Sequence, residues 1–191
     1  MSGGPLDLYA LCREWLDVCE LAVASTPGGA IARSFVSPGM PAWDCPPQLT
    51  VHAGGPAEAD TLPLQPPLAP GMRPSTAGSV HIINMTATVL RCSPTVKQAG
   101  KSFKLPSPAA LEATARECDA DVWALWAWTR RAYQAGFLFP SEDRRRELFF
   151  DPAVPVRTAG GASGWEIQIR VALGGYRLTD EELAALEAAL A

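Results

Sequence analysis

The sequence predicts an α+β fold, a mostly antiparallel sheet flanked by an N-terminal helix and one long helix. Three observations predict it. Residues 6–24 and 107–135 repeat apolar side chains at helical spacing. Residues 79–92 and 165–171 alternate apolar with polar, the period of a strand covered on one face. Proline and glycine cluster between these stretches and not within them. Helices gathered on one face of such a sheet bury the apolar side of both layers. A length of 191 residues suits a single domain, 1–191, with an extended Pro-rich loop at 54–78 and an irregular loop at 137–164.

The elements follow in order. In residues 6–24, Leu8, Leu11, Cys12, Trp15, Cys19 and Ala22 share one helix face, with Arg13, Glu14, Asp17 and Glu20 on the other. Ser25-Thr26-Pro27-Gly28-Gly29 ends that helix. Ile31 to Val36 and Gln48 to Ala53 read as strands separated by a Pro-rich turn. Residues 54–78 hold six prolines and predict an extended arm rather than regular structure. In the strand 79–92, Ile83, Met85, Ala87 and Val89 point one way, and Asn84, Thr86 and Thr88 toward a wetter side. Residues 93–104 read as a polar loop carrying Lys97, Lys101 and Lys104. Ser107 caps the long helix, Pro108 occupies its first position and Gly136 stops it. Its stripe is Leu111, Ala115, Cys118, Val122, Leu125, Thr129 and Ala132. A short strand at Leu148 to Phe150, a loop at Gly160 to Gly164 and a strand at Trp165 to Val171 follow. Thr179-Asp180-Glu181-Glu182 is a capping box for a last short helix.

Composition restricts the function classes. Nearly half of the residues are apolar, so a sizeable core can form. A net charge of −4 argues against a general nucleic-acid binder, while leaving room for a local basic patch. No apolar run is long enough to span a membrane, and the N-terminus lacks the basic start and apolar stretch of a signal peptide. Assembly in a cytoplasm is therefore expected. The five cysteines are odd in number and widely spaced. All five are expected to be small buried hydrophobes, with no disulfide framework or zinc knuckle.

Chemistry-bearing patterns are sparse. His52 and His81 sit among apolar neighbours in strands, and could share a metal only if those strands bring them together. Asp119 and Asp121 lie two apart on a helix and face different sides, so they are no catalytic pair. Asp121 lies nearer the apolar arc and is expected to meet an arginine. The glycine pairs fit neither phosphate-binding pattern and read as turn glycines. No catalytic, cofactor or metal residue is expected, and the chain is expected not to be an enzyme. The candidate interface residues are Trp123, Trp126 and Trp128, which one helix cannot turn toward a single core, and the basic run Arg144, Arg145 and Arg146.

One resemblance adds to this reading. It rests on the amphipathic first helix, on Ser34 to Cys45 (SFVSPGMPAWDC) and on Gln48-Leu49-Thr50-Val51. Arg91-Cys92-Ser93-Pro94 and Pro106 to Leu111 (PSPAAL), with Asp119 to Trp123 (DADVW), carry it further. Together these resemble the tail terminator group of head-to-tail neck proteins of actinobacterial siphophages, over roughly residues 6–135. The resemblance implies a tail-terminator-like α+β subunit without a cofactor. Six copies would form a homo-oligomeric ring on the last tail tube protein ring. That ring would present a face to the head-completion (stopper) protein, with genomic DNA only passing through the bore. It implies a virion location at the neck and no membrane. Other readings are another neck component (stopper or head–tail adaptor), a minor tail protein, or, in another class, a small enzyme or ligand-binding domain.

Overall fold

The structure, a computed structural model, describes residues 7–39, 47–59, 80–99, 102–139, 146–156 and 161–173. Ten elements lie in these residues. They are α1 (Leu8–Ala24), β1 (Arg33–Val36), β2 (Gln48–Ala59), β3 (Val80–Cys92), β4 (Lys97–Ala99), β5 (Ser102–Lys104), α2 (Pro108–Gln134), β6 (Arg146–Phe150), β7 (Val154–Val156) and β8 (Ala162–Leu173). The fold is α+β. One six-stranded sheet runs in the order β1-β2-β3-β8-β6, with β7 also paired to β8, and β4-β5 forms a separate hairpin. Every pairing is antiparallel except that of β1 with β2.

Local chemistry sets the helix ends. The Asp7 carboxylate accepts the amide of Ala10 at 3.0 Å and opens α1. Ser107 accepts the amide of Ala110 at 3.2 Å and opens α2, whose first residue is Pro108. Gly136 takes φ +75° just past the last turn of α2, a conformation open to glycine at little steric cost. Both helices cover the same face of the sheet. Trp15 and Leu16 of α1 and Leu125 of α2 join Val51, Met85, Ile169 and their neighbours in one core cluster. The indole N–H of Trp15 donates to Thr129 Oγ1 at 3.0 Å, so the largest core side chain keeps its polar atom satisfied.

Besides the hairpin β4–β5, which stands within residues expected to form a polar loop, four expectations are corrected. First, the stripe on the long helix does not bury from Leu111 onward: Leu111 and Ala115 are exposed, and burial begins at Cys118. Periodicity reports which residues share a face, not how far a partner layer extends. Second, β2 continues through residues 54–59, so the Pro-rich loop starts later than expected. The register shifts between Ala53 and Pro56, and β1 pairs only as far as Val51, so among the described residues Pro56 has a strand neighbour on one side only. Third, residues 137–164 are less irregular than expected: the short strand expected at Leu148 to Phe150 is present as β6, and β7 and the start of β8 also lie there. Gly164 is no turn glycine: it lies opposite Leu90, and a Cβ there would stand 1.8 Å from the Val89 carbonyl oxygen. Fourth, the second face of β3 is not uniformly wet, since Thr50, Thr88 and Leu90 are fully buried there. The short helix expected at the capping box lies outside the described residues.

Two long-range polar contacts fix the helices, one to the sheet and one to each other's flanking segment. Arg91, on β3, makes a two-pronged pair with Asp121 of α2: Nε to Oδ2 at 2.8 Å and Nη2 to Oδ1 at 3.1 Å. The same guanidinium donates to the carbonyls of Gly28 and Gly29 at 2.8 Å each, and Thr26 Oγ1 donates to Asp121 Oδ1 at 2.7 Å. Both side chains are buried, 7 % and 0 % exposed. The pairing expected for Asp121 is thus present, and the loop after α1 is part of it. Past the C-terminal end of α2, Glu14 of α1 accepts the amide of Phe139 at 2.5 Å. That contact holds a buried phenylalanine at φ +53°.

Asp121→Ala leaves the Arg91 charge buried without its partner and should cost about 3–5 kcal/mol in urea unfolding. The double variant Arg91→Met/Asp121→Leu, which removes both charges, should recover most of that loss. Equal stability of Asp121→Ala and the unsubstituted chain would contradict the assigned role.

Candidate interaction surface

The sequence-derived candidates divide sharply. On α2, positions 123, 126 and 130 lie on one helix flank, and 122, 125 and 129 face the core. Trp123 is 63 % exposed. Its ring meets Trp126 edge to face, at 6.1 Å between centroids and 81° between planes. Trp126 is half-buried, lies 5.8 Å from the ring of Phe150 on β6, and carries the Arg130 guanidinium 5.2 Å from its centroid. Trp128 sits on the opposite flank and packs, half-buried, against the core. The three tryptophans therefore do not form one patch. Trp123 and Trp126 do, and they form it with Phe150 and Arg130.

Arg144 and Arg145 lie outside the described residues, and Arg146 opens β6 opposite Leu173. Among the described residues β6 is one end strand of the sheet and β1 the other. The aromatic ledge therefore stands where the sheet stops. Phe150 and Arg130 were not among the expected interface residues. The spacing of Trp126 and Arg130, one helical turn apart, was the available signal for the second. No local signal pairs Phe150 with Trp126, which are 24 positions apart in the chain.

A shallow crevice of about 590 Å³ runs between α1 and β1, lined by Asp17, Glu20, Leu21 and Ile31 among others. Its charges are already engaged: Arg13 pairs with Asp17 and Glu20, and Ser34 donates to Glu20 at 2.7 Å. A smaller crevice of about 400 Å³, lined chiefly by apolar groups, lies beside Leu8, Tyr9 and Cys12. Neither gathers a nucleophile, a base and an oxyanion donor.

The remaining candidates have structural explanations. Cys12, Cys19 and Cys118 are buried and free. Burial pushes the Cys12 thiol up to about 11 and raises Cys19 and Cys118 as well, so little reactive thiolate forms at neutral pH. Cys92 departs from the expectation: it is exposed and disulfide-bonded. It is the last residue of β3 and falls on the side of the strand away from the helices. Cys45 lies outside the described residues. The two histidines are not brought together, because His52 pairs with Thr86 and His81 with Glu58, five residues along the same strand. That is roughly 16 Å. Among the described residues, no three metal-binding side chains converge, and no helix is long and apolar enough to cross a membrane.

Compared with known protein families and with curated proteins, the chain matches none.

His52 supplies a pH prediction. Burial lowers its pKa below the ordinary 6.5, with Glu166 pulling the other way, and its Nδ1 is buried without a hydrogen-bond partner. The unfolded chain therefore takes up this proton first on acidification. Stability from the neutral imidazole is complete above pH 6.5 and declines as pH falls toward the lower folded value. Urea unfolding between about pH 7.5 and 5 should show this decline, and His52→Gln should flatten part of it.

Proposed function

We propose that this chain is a structural virion protein, a ring-forming subunit of the tail terminator kind at the head–tail neck of a phage particle. In this reading the ring ends the tail tube and meets the head-completion (stopper) protein, and DNA passes through its bore unread. The observation that carries the reading is the exposed indole of Trp123, backed by Trp126 and Phe150 at the end of the sheet. Large aromatic rings held rigidly at a surface are the usual anchors of protein contacts. A head-to-tail ring needs two different patches on each subunit. Among the described residues the sheet has unlike ends, the aromatic ledge at β6 and the α1–β1 crevice at the other, and these offer two such places. The resemblance of residues 6–135 to tail terminators supports the same reading. The Cys92 disulfide calls for oxidising surroundings, so in this reading the bond closes after the particle leaves the host cytoplasm.

Mass photometry of the purified chain, alone and with tail tube protein, tests the proposal. A hexamer-sized species that caps tubes is expected. A steady monomer that never caps a tube would overturn it. Trp123→Ser should weaken assembly by tenfold or more while changing the subunit's melting temperature by less than about 2 °C, since surface substitutions rarely exceed 0.5 kcal/mol. Trp126→Ser should lower both, because Trp126 also packs on the core.

A further inference from the structure

One flank of α2 carries a pattern of charge that complements itself. Positions 112, 116, 119, 123, 126 and 130 recur at intervals of four and three, so they form one ridge along the helix. The ridge reads Glu112, Arg116, Asp119, Trp123, Trp126 and Arg130. All six residues are exposed except Trp126, which is half-buried. The first half of the ridge begins where α2 has no cover, since no residue of the helix before Cys118 is buried. The second half is the aromatic ledge. Within one subunit the charges are only loosely engaged. Glu112 and Arg116 approach to 3.8 Å with side chains 70 % and 84 % exposed, and Arg130 lies over the Trp126 ring.

Turned end for end, the ridge matches itself. Two copies of α2 can lie antiparallel about a two-fold axis level with Asp121. Glu112 of each copy is then level with Arg130 of the other, Asp119 with Trp123, and Arg116 with Trp126. Each level sets unlike groups together: carboxylate and guanidinium, carboxylate and indole N–H, guanidinium and indole face. A parallel arrangement would set every charge against its like. Positions 112–130 span roughly 27 Å, with the indoles near the middle and the Glu112 and Arg130 charges at the ends. An aromatic centre with a charged rim is the ordinary anatomy of a protein contact.

We propose that this ridge of α2 docks antiparallel on the same ridge of a second copy, as a two-fold pair of free chains. The docking surface on the partner is the ridge itself, and every residue of it lies in α2. The inference goes beyond the ring reading and shares with it only the ledge as a contact. A ring sets the ledge against a different patch, whereas a two-fold pair sets it against itself. The two contacts therefore exclude one another at Trp123, and pairing keeps its indole covered until a subunit enters a ring.

Sedimentation velocity of the purified chain without tube protein, at micromolar concentration, tests the pair. A species of twice the chain mass is expected. Glu112→Arg and Arg130→Glu should each weaken pairing roughly tenfold or more. Both variants should melt within about 2 °C of the unsubstituted chain, because both positions are exposed. Mixed in equal amounts, the two variants should pair again, because each reversed charge meets its opposite on the other chain. The double variant Glu112→Arg/Arg130→Glu should pair with itself for the same reason. Neither a loss of fold nor a ring contact between unlike patches predicts that rescue. An unsubstituted chain that stays monomeric would overturn the proposal. So would single reversals that pair as tightly as the unsubstituted chain, or a mixture no better paired than its components. If the mixed variants pair but the unsubstituted chain never caps a tube, the ring reading fails and the two-fold pair stands.

Discussion

The structure depends most on one buried ion pair. Arg91 and Asp121 sit on elements that the chain separates by a hairpin and a loop, yet they meet inside the protein with both charges almost wholly out of water. Such a pair is tolerable only when the remaining hydrogen-bonding capacity is used. Here it is: two carbonyls of the loop after α1 accept from the guanidinium, and Thr26 donates to the carboxylate. The network therefore ties three pieces, the end of α1, the end of β3 and the middle of α2. It places α2 along the sheet with a definite rotation. Leu125 and Thr129 then face the core, and Trp123 faces solvent.

That rotation has consequences at the surface. Trp15 and Thr129 close the gap between the helices on the inside. Trp126 is left at the boundary, half in the core cluster and half in contact with Phe150 and Trp123. The outer ring is thus rigidly backed, though exposed.

The interface candidates were legible only in part. The excess of tryptophan on one helix was visible, and helical spacing already separates positions 123 and 126 from 128. Which flank would lie on the sheet was not visible, because the apolar arc is wide and Asp121 lies within it. Trp128 went to the core side for that reason. Arg130 and Phe150 complete the ledge through a helix-surface neighbour and a strand 24 positions away, and only the first leaves a trace in spacing. The cysteines divide similarly. Cys12 and Cys19, two turns apart on one helix face, are buried as their spacing implies, whereas Cys92 ends a strand and points away from the core.

By itself the sequence determined the α+β class, the two helices with their stops, the cap of the second, and the inward residues of β3 and β8. All of these follow from periodicity and from short-range hydrogen bonds between residues three or four apart. Tertiary structure decided the rest. How far β2 and β8 extend depends on a partner strand supplying hydrogen bonds, and Gly164 is required by the backbone of Val89 and not by any turn. The pairing of Arg91 with Asp121 rests on contacts across 30 residues of chain. Local pattern carries no record of contacts at that separation, because they form only once the layers have packed.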